Sequence, residues 1–600
     1  MSQISRYTTI YILLAIIISG LLLYFPSLHS TSFYFDDVSS VEHNPAIKHL
    51  DLPAIFKAFN TRSLAGLSFA LNYAWCGLHP AGYRLINLLI HCLNAFLVFF
   101  LAKDILKCGH KIAFFGALLF LSHPIETEAV NYITQRFVLM GTFFYLLTLV
   151  LYIRKYRIAS VLSALAAMFC KEFVITLPLM LVLYEFYFGV NKRSFAEFTP
   201  ECFSRGLRMA IPYIIIALIV PILLISTPKE TIGVANIAQS TDITKALGDI
   251  SRKEYFLTEL NVVRTYVRLL FIPINQNIDY DYPLSNSIDL KTFLSAAFLL
   301  SLFIIAYFTY ASHRIISFSI CWFFIALSVE SSFIPIGHVI AEYRLYLASV
   351  GFILLISHFL AALQKNKKLF NIIAAVILIF CSVLTYQRNT IWKDDLSLWN
   401  DAVEKSPHKE RPYNNRGLAW AARGNFIEAL QDYSKAIELN PHYINAYINR
   451  GLLYDTKGQF SLALADFNKA IELNPRLAEV YNNLGNTYYY QNNLMPALSD
   501  FNKAISLNPQ LAESYNDRAN VFLKLNHIDQ AISDYNRAII LQPMYADAYY
   551  NLAFLYYQEA NLPQSLWAYN KVLEINPRDA QAQNNRAAVL QRISVSEGRR

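Results

Sequence analysis

A nucleotide-binding motif and a cysteine framework are both missing from this 600-residue chain. Its seven cysteines all precede Asn400 and none stands in a CxxC arrangement, which argues against a disulfide scaffold or a thiolate metal site. No GxGxxG and no P-loop occurs, so any activated substrate is expected to be carried by something other than a nucleotide held in those cradles. Charge is scarce as well. Asp, Glu, Lys and Arg make up 16% of residues, against 55% hydrophobic and 14% aromatic. A soluble chain cannot cover apolar surface on that scale, so most of this one is expected to use lipid as its solvent. The net charge of +8 belongs to membrane topology and makes no case for nucleic acid.

The apolar excess lies in the first two-thirds. Runs able to cross a bilayer as helices fall at 8–25, 84–102, 112–122, 137–153, 158–169, 173–189, 210–226, 291–310, 315–329, 345–363 and 369–386, about eleven in all. The first, Thr8 to Phe25, is longer than a signal-peptide core and has no small-residue cleavage site, so it reads as a retained anchor. Lysine and arginine test the count through their preference for cytoplasmic loops. With Arg6 inside, the inside loops are Lys103 to Lys111, Arg154 to Arg157, Lys192 to Arg208, His313 with Arg314, and Lys365 to Lys368. Every short basic cluster then shares one face. The opposite face receives Ser32 to Tyr83, HPIETEAVNYITQR, CKEF, the long loop after Pro228, and IPIGHVIAEYR.

That opposite face collects the unusual polar residues: Asp36, Asp37, His123, Glu126, Glu128, Arg136, Lys171, Glu172, His338, Glu342 and Arg344. Ionisable groups at membrane depth cost several kcal/mol unless paired or wet. Taken singly, each could be a solvated loop residue; their clustering points to a site.

After Asp394 the character changes. Pro407, Pro441, Pro475, Pro509, Pro543 and Pro577 recur every 34 residues, the period of tetratricopeptide helix pairs. Each closes a helix, because its ring removes an N–H donor. The expectation is an all-α chain in three parts: a polytopic membrane domain over 1–390, a linker over 391–406, and five repeats with a capping helix over 407–600. Small residues Gly417, Gly451, Gly485, Ala519 and Ala553 mark close approach within pairs. Two positions earlier stand Asn415, Asn449, Asn483, Asp517, Asn551 and Asn585, a ladder on the first helices, which line the concave face of such superhelices. An amide can donate to and accept from a peptide unit. This ladder resembles the one that holds acceptor polypeptide in O-linked N-acetylglucosamine transferase, although Asp517 keeps only the accepting half. The alternative is that these side chains bridge neighbouring helices.

The membrane part also carries a resemblance. YFDDVSSVEHNPAI, INLLIHCLNAFLVFFL, HPIETEAVNYITQRFVLMGTFFYLLTL, CKEFVITLPLMLVLYE and FIPIGHVIAEYRLYLASVGF, in this order and followed by the repeats, are similar to the transmembrane and tetratricopeptide-repeat O-mannosyltransferase family of the C-type glycosyltransferase superfamily. Tyr343 and Ala348 stand where similar bacterial sequences commonly carry His and Pro. The resemblance implies transfer of a sugar, mannose or another hexose, from a polyprenyl-phosphate carrier to Ser or Thr of an extracytoplasmic protein. Its implied setting is a bacterial inner membrane with site and repeats on the periplasmic side, or the lumenal side of the endoplasmic reticulum in a eukaryote.

The chemistry fits the residue types. An attacking hydroxyl needs a base, and the departing lipid phosphate needs its charge stabilised. Asp36 or Asp37 is the candidate base. Arg136, Lys171 and Arg344 are the candidate phosphate ligands, with Glu172 and Glu342 as their carboxylate neighbours. His123, Glu126, Glu128 and His338 are expected at the sugar pocket or just behind it. No cofactor is implied, and metal-independent transfer is the expectation, a divalent cation at the acidic pair being the alternative. Two rival readings remain: an O-antigen ligase or oligosaccharyltransferase, distinguished by a pyrophosphate-linked glycan donor, and a non-catalytic membrane scaffold, which has no need of the clustered polar set.

Overall fold

A computed structural model describes residues 3–189, 200–219, 221–222, 250–332, 335–336 and 338–597. The expected basic loop Lys192 to Arg208, the apolar run 210–226, the loop after Pro228 and the IPIGHVIAEYR segment lie partly outside these residues. The described residues are helical, with no β-strand among them. They form two units, Met1–Pro407 and His408–Arg600.

Among the described residues, six helices of the first unit are long and apolar enough to cross a membrane: Tyr7–Leu28, Pro80–Leu106, Ile133–Ile153, Leu290–Thr309, Glu342–Lys365 and Lys367–Ile391. The remaining apolar runs fall on shorter helices, among them His110–Ser122, Arg157–Met168, Leu177–Phe188 and Arg314–Leu327. Two of the basic loops meet, where Arg154 Nε donates to Asp104 Oδ2 at 2.8 Å. The Lys367–Ile391 helix shows large exposed apolar side chains, including Ile372, Val376, Ile379 and Phe380, a face suited to lipid.

Two stretches depart from the sequence expectation. Residues 252–271, within the expected outer loop, form the helix Arg252–Phe271, opened by a capping box in which Ser251 and Glu254 exchange hydrogen bonds. It buries Tyr255, Glu259, Val262, Tyr266 and Leu269, a stripe at helical spacing, while its charged residues lower its hydropathy below that of a spanning run. The segment expected as a linker, 391–406, carries the helix Asp395–Lys405. Its Leu398 packs with Trp392, Tyr34 and Tyr132 in an apolar cluster of the first unit, because an amphipathic turn with two bulky apolar residues gains more from burial than from solvation.

In the second unit, five helix pairs from Glu410–Ala422 to Leu562–Ile575 precede the helix Ala580–Glu597. The small positions do what their spacing implies. A Cβ placed on Gly417, Gly451 or Gly485 would meet Tyr433, Phe467 or Phe501 at 2.6, 2.8 and 2.8 Å, so glycine is what lets each aromatic of the second helix lie flat on the first. A guanidinium clamp closes three of the pairs: Arg416 with Asp432, Arg450 with Asp466 and Arg518 with Asp534, each through two bonds of 2.7–2.8 Å.

Candidate active site

The acidic pair sits on a short connection after the first spanning helix, and two side chains from the next long helix region fix it. Arg84, in the first turn of Pro80–Leu106, donates from Nη1 to Ser30 O at 2.9 Å, from Nη2 to Ser32 O at 2.7 Å and from Nε to Asn131 O at 3.1 Å. Asn87, one turn on, donates to Val130 O and Ile133 O, each at 3.2 Å. A buried arginine with every donor direction met by a carbonyl is a brace.

The two carboxylates then part company. Asp37 is fully buried and accepts from the backbone N–H groups of Thr134 at 2.7 Å, Tyr34 at 3.2 Å and Ile133 at 3.3 Å. Burial pushes its pKa up to about 7, against the opposing pull of those donors. It stitches the acidic turn to the 132–134 turn. Asp36 is exposed; its backbone is held, the N–H donating to Tyr132 Oη at 3.1 Å and the carbonyl accepting from Ser39 Oγ at 3.3 Å. The preceding Phe35 has φ of 46°, a left-handed conformation that costs a non-glycine residue of order 1–3 kcal/mol. The ring of Phe35 packs on Tyr132 and Trp399, which holds the backbone in that strained turn and leaves the Asp36 side chain outward.

Tyr343 lies within electrostatic reach of Asp36, Glu128, Glu330 and Arg344. Lys171 Nζ stands 4.5 Å from the centre of its ring and pairs with Glu330 at 2.7 Å; burial lowers the pKa of the lysine. Beside them Glu172 accepts two parallel bonds of 3.0 Å from Arg62 and one of 3.0 Å from Thr61, and its carboxyl is held down at about 2 with Arg62 as the main lowering influence against its burial. The buried Lys171, with its partner Glu330, thus lies over the Tyr343 ring, and Glu172, the next residue, is tied to the less buried Arg62.

Other sequence-predicted residues are elsewhere in the structure. Arg136 is fully buried; it donates to Asn87 Oδ1 at 2.8 Å, Asn72 Oδ1 at 2.8 Å, Tyr83 O at 2.9 Å and Ser68, with the Phe69 ring 4.6 Å away. All its donor directions are taken by protein, which corrects its expected place as a phosphate ligand. Arg344 likewise donates to the carbonyls of Val339 and His338 and lies 3.9 Å from Glu259 of the unforeseen helix, so both partners are internal. His123 is buried, with Nε2 at 3.0 Å from Leu270 O and Nδ1 accepting from Ile125 N at 3.2 Å. Burial lowers its pKa to about 4, and it is a neutral structural imidazole. Glu126 is also fully buried, and burial keeps its carboxyl far above the usual range. Half-buried His338 receives the Arg344 bond on its carbonyl.

Glu342 accepts from Gln276 Nε2 at 2.7 Å, Asn277 N at 2.8 Å and Tyr280 Oη at 2.5 Å, and its own N–H donates to Glu128 Oε2 at 2.9 Å. Glu128 is pushed up to about 8 by burial and by the neighbouring Glu342. Among the described residues no three His, Cys, Asp or Glu side chains come together as a metal site. Sequence reasoning missed Arg62, Arg84, Glu259, Glu330 and Tyr343 as site residues. Arg84 carried the signal already used for the others, a charge within an apolar helix; Arg62 and Glu330 carried none.

An apolar cavity of about 330 Å³ opens beside this region, lined by Phe256, Leu260, Val263, Leu299 and Phe303, with Glu259 and Ser331 at its polar end.

In the second unit the ladder side chains mostly bond to the preceding repeat. Asn449 donates to Asn414 at 2.9 Å, Asn551 to Asn516 at 3.0 Å and Asn585 to the Tyr550 hydroxyl at 2.7 Å, while Asp517 accepts from Asn482 at 2.9 Å. Asn415 accepts from its neighbour Asn414 at 3.1 Å.

Comparisons with known proteins agree with both halves. Family models described as TPR repeat and tetratricopeptide repeat match residues 456–492 and 519–559, 411–443 and 478–511, and 546–579. A protein O-mannosyl-transferase of Caenorhabditis elegans is 26% identical over 448 residues, which is 70% of this chain and 61% of that protein. The protein O-mannosyl-transferase TMTC3 of Homo sapiens is 27% identical over 446 residues, 66% of this chain and 48% of its own length. A further relative, Tmtc1 of Drosophila melanogaster, is 36% identical over 140 residues, 22% of this chain and 16% of that protein. The chain thus spans about half to three-fifths of the first two relatives.

Proposed function

We propose that this chain, similar over about two-thirds of its length to protein O-mannosyl-transferases, is a member of the transmembrane and tetratricopeptide-repeat O-mannosyltransferase family and transfers a hexose from a polyprenyl phosphate to Ser or Thr hydroxyls of polypeptide. The relatives' names point to mannose. The observation that carries the reading is the division within the acidic pair: Asp37 anchored by three N–H donors, Asp36 exposed on a strained turn.

In the step itself, the acceptor oxygen bonds to the anomeric carbon while the bond from that carbon to the phosphate oxygen breaks. Its electron pair leaves with the phosphate, and the hydroxyl proton passes to the Asp36 carboxylate. Lys171 and Arg62 receive the phosphate charge; their pairs with Glu330 and Glu172 keep them in place before the donor arrives. Arg136 and Arg344 act behind the site, as braces. The apolar cavity beside Glu259 has the size and lining to take the first isoprene units of a lipid carrier. The face opposite the Lys/Arg loops is the extracytoplasmic one, and the repeats hold the acceptor.

The test is transfer in lipid nanodiscs from a synthetic polyprenyl-phosphate mannose to a Thr-containing peptide. Labelled peptide with this donor and none with a nucleotide-linked mannose is expected; label from the nucleotide sugar alone, or only from a pyrophosphate-linked glycan, contradicts the reading.

A further inference from the structure

The ladder of the repeats is tied repeat to repeat by one rule. The residue just before each rung bonds to the rung of the next repeat, 35 positions on: Asn414 to Asn449, Asn482 to Asp517, Asn516 to Asn551, Tyr550 to Asn585. At the joint between the second and third repeats the rule fails, because the position is Ile448, which can neither donate nor accept. Asn483, the rung it would serve, is half-buried and makes no side-chain hydrogen bond among the described residues. The joint is held by other means: Ile444, Tyr447, Phe467, Leu477, Val480 and Leu484 form one apolar cluster across it, with Ile448 packed alongside. Leu484 also replaces the clamp arginine found at 416, 450 and 518. Packing thus does at this joint what polar ties do at the others.

An amide spared from structural work and reachable from outside keeps its donor and its acceptor for a partner. Asn482, its neighbour, has a buried Oδ1 with no hydrogen-bond partner in the fold. Close by on the same face, Leu452 and Leu418 are 41% and 45% exposed, three residues after their rungs and so one helical turn along. A primary amide offers one donor and one acceptor side by side, the complement of a peptide unit, and apolar side chains next to it complement the side chain of an extended strand.

We propose that Asn483 is the rung that grips the backbone of an extended polypeptide, with an apolar residue of that polypeptide on Leu452, and that Asn449, Asn551 and Asn585 are struts between repeats. This rests on the reading that the repeats hold the acceptor, and it assigns the contact to one joint. The probe is a fluorescein-labelled peptide of alternating threonine and leucine, and the same peptide with N-methylated backbone, bound to the full chain in nanodiscs and followed by anisotropy.

Asn483→Ala is expected to weaken the parent peptide about tenfold, to leave thermal unfolding of the repeats unchanged and to leave the N-methylated peptide, already weak, unaffected. Ile448→Asn restores the missing tie and is expected to weaken binding alike although Asn483 is intact. Asn449→Ala is expected to lower the unfolding temperature and leave affinity within about twofold. Equal binding by wild type and Asn483→Ala overturns the proposal, as does an Asn449→Ala effect on affinity as large as that of Asn483→Ala without any on unfolding, or no binding by the wild type. Mannose transfer on the same samples separates the two readings. Transfer with an affinity indifferent to Asn483 removes this inference and keeps the enzyme; binding through Asn483 without transfer does the reverse.

Discussion

Polar side chains do opposite kinds of work in the two units of this protein. In the repeats they recur every 34 residues and act in series, so most are copies of their neighbours: Arg450 with Asp466 repeats Arg416 with Asp432. In the membrane unit none is a copy. Arg84, Asp37, Arg136 and Glu342 each bind three or more partners from segments far apart in sequence. Periodic ties can be lost one at a time, since a repeat array is close to a sum of neighbouring interfaces. Singular buried ties cannot, because removing one strands several groups away from water.

That contrast can be broken by substitution. Arg136→Leu is expected to cost the membrane unit about 3–5 kcal/mol, which would show as loss of extractable folded protein; retention of wild-type thermal stability in detergent would break the comparison at its strongest point. Arg62→Ala, at the more exposed of the two ion pairs, is expected to lower donor turnover about 10- to 1000-fold, read as initial rates at saturating peptide, with a smaller loss of thermal stability than Arg136→Leu. Gly451→Ala drives a methyl into the Phe467 ring at 2.8 Å and is expected to cost about 1–3 kcal/mol in the repeats alone, with donor binding by the membrane unit unaltered.

The smallest effect concerns pH. His123 is neutral in the fold with its pKa lowered to about 4, whereas the unfolded chain protonates near about 6.5. The unfolded state therefore binds the proton first on acidification. Stability from the neutral ring is complete above the unfolded value and is lost as pH falls toward the folded one, amounting to less than about 1 kcal/mol between about pH 7.5 and about pH 6. His123→Gln should flatten that part of a stability–pH curve for the membrane unit; an unchanged slope would mean the ring is solvated.

How much of this was legible follows the same divide. The 34-residue period, the prolines and the Gly451 position announced the repeat pairs, because a repeated unit states its own rule several times. The period could not say that the rungs bond to the preceding repeat, since that depends on the residue before each rung, where Ile448 differs from Asn414 and Asn482. In the membrane unit the apolar runs were plain, and the acidic pair was noticed for standing near them. Which carboxylate is buried depends on three N–H groups from residues 34, 133 and 134, two of them about a hundred positions away, and no local pattern encodes that. The Arg252–Phe271 helix was hidden by its charges, although Ser251 and Glu254 already spelled its cap.

The account stands most directly on one paired measurement, Asp36→Asn against Asp37→Asn in purified chain, scored for both mannose transfer and thermal unfolding. Asp36→Asn should keep the wild-type unfolding temperature and lose transfer by about 10²- to 10⁴-fold, while Asp37→Asn should lower the unfolding temperature by loosening the turn. Transfer undiminished by Asp36→Asn, or a stable and inactive Asp37→Asn, would contradict the assignment of the base.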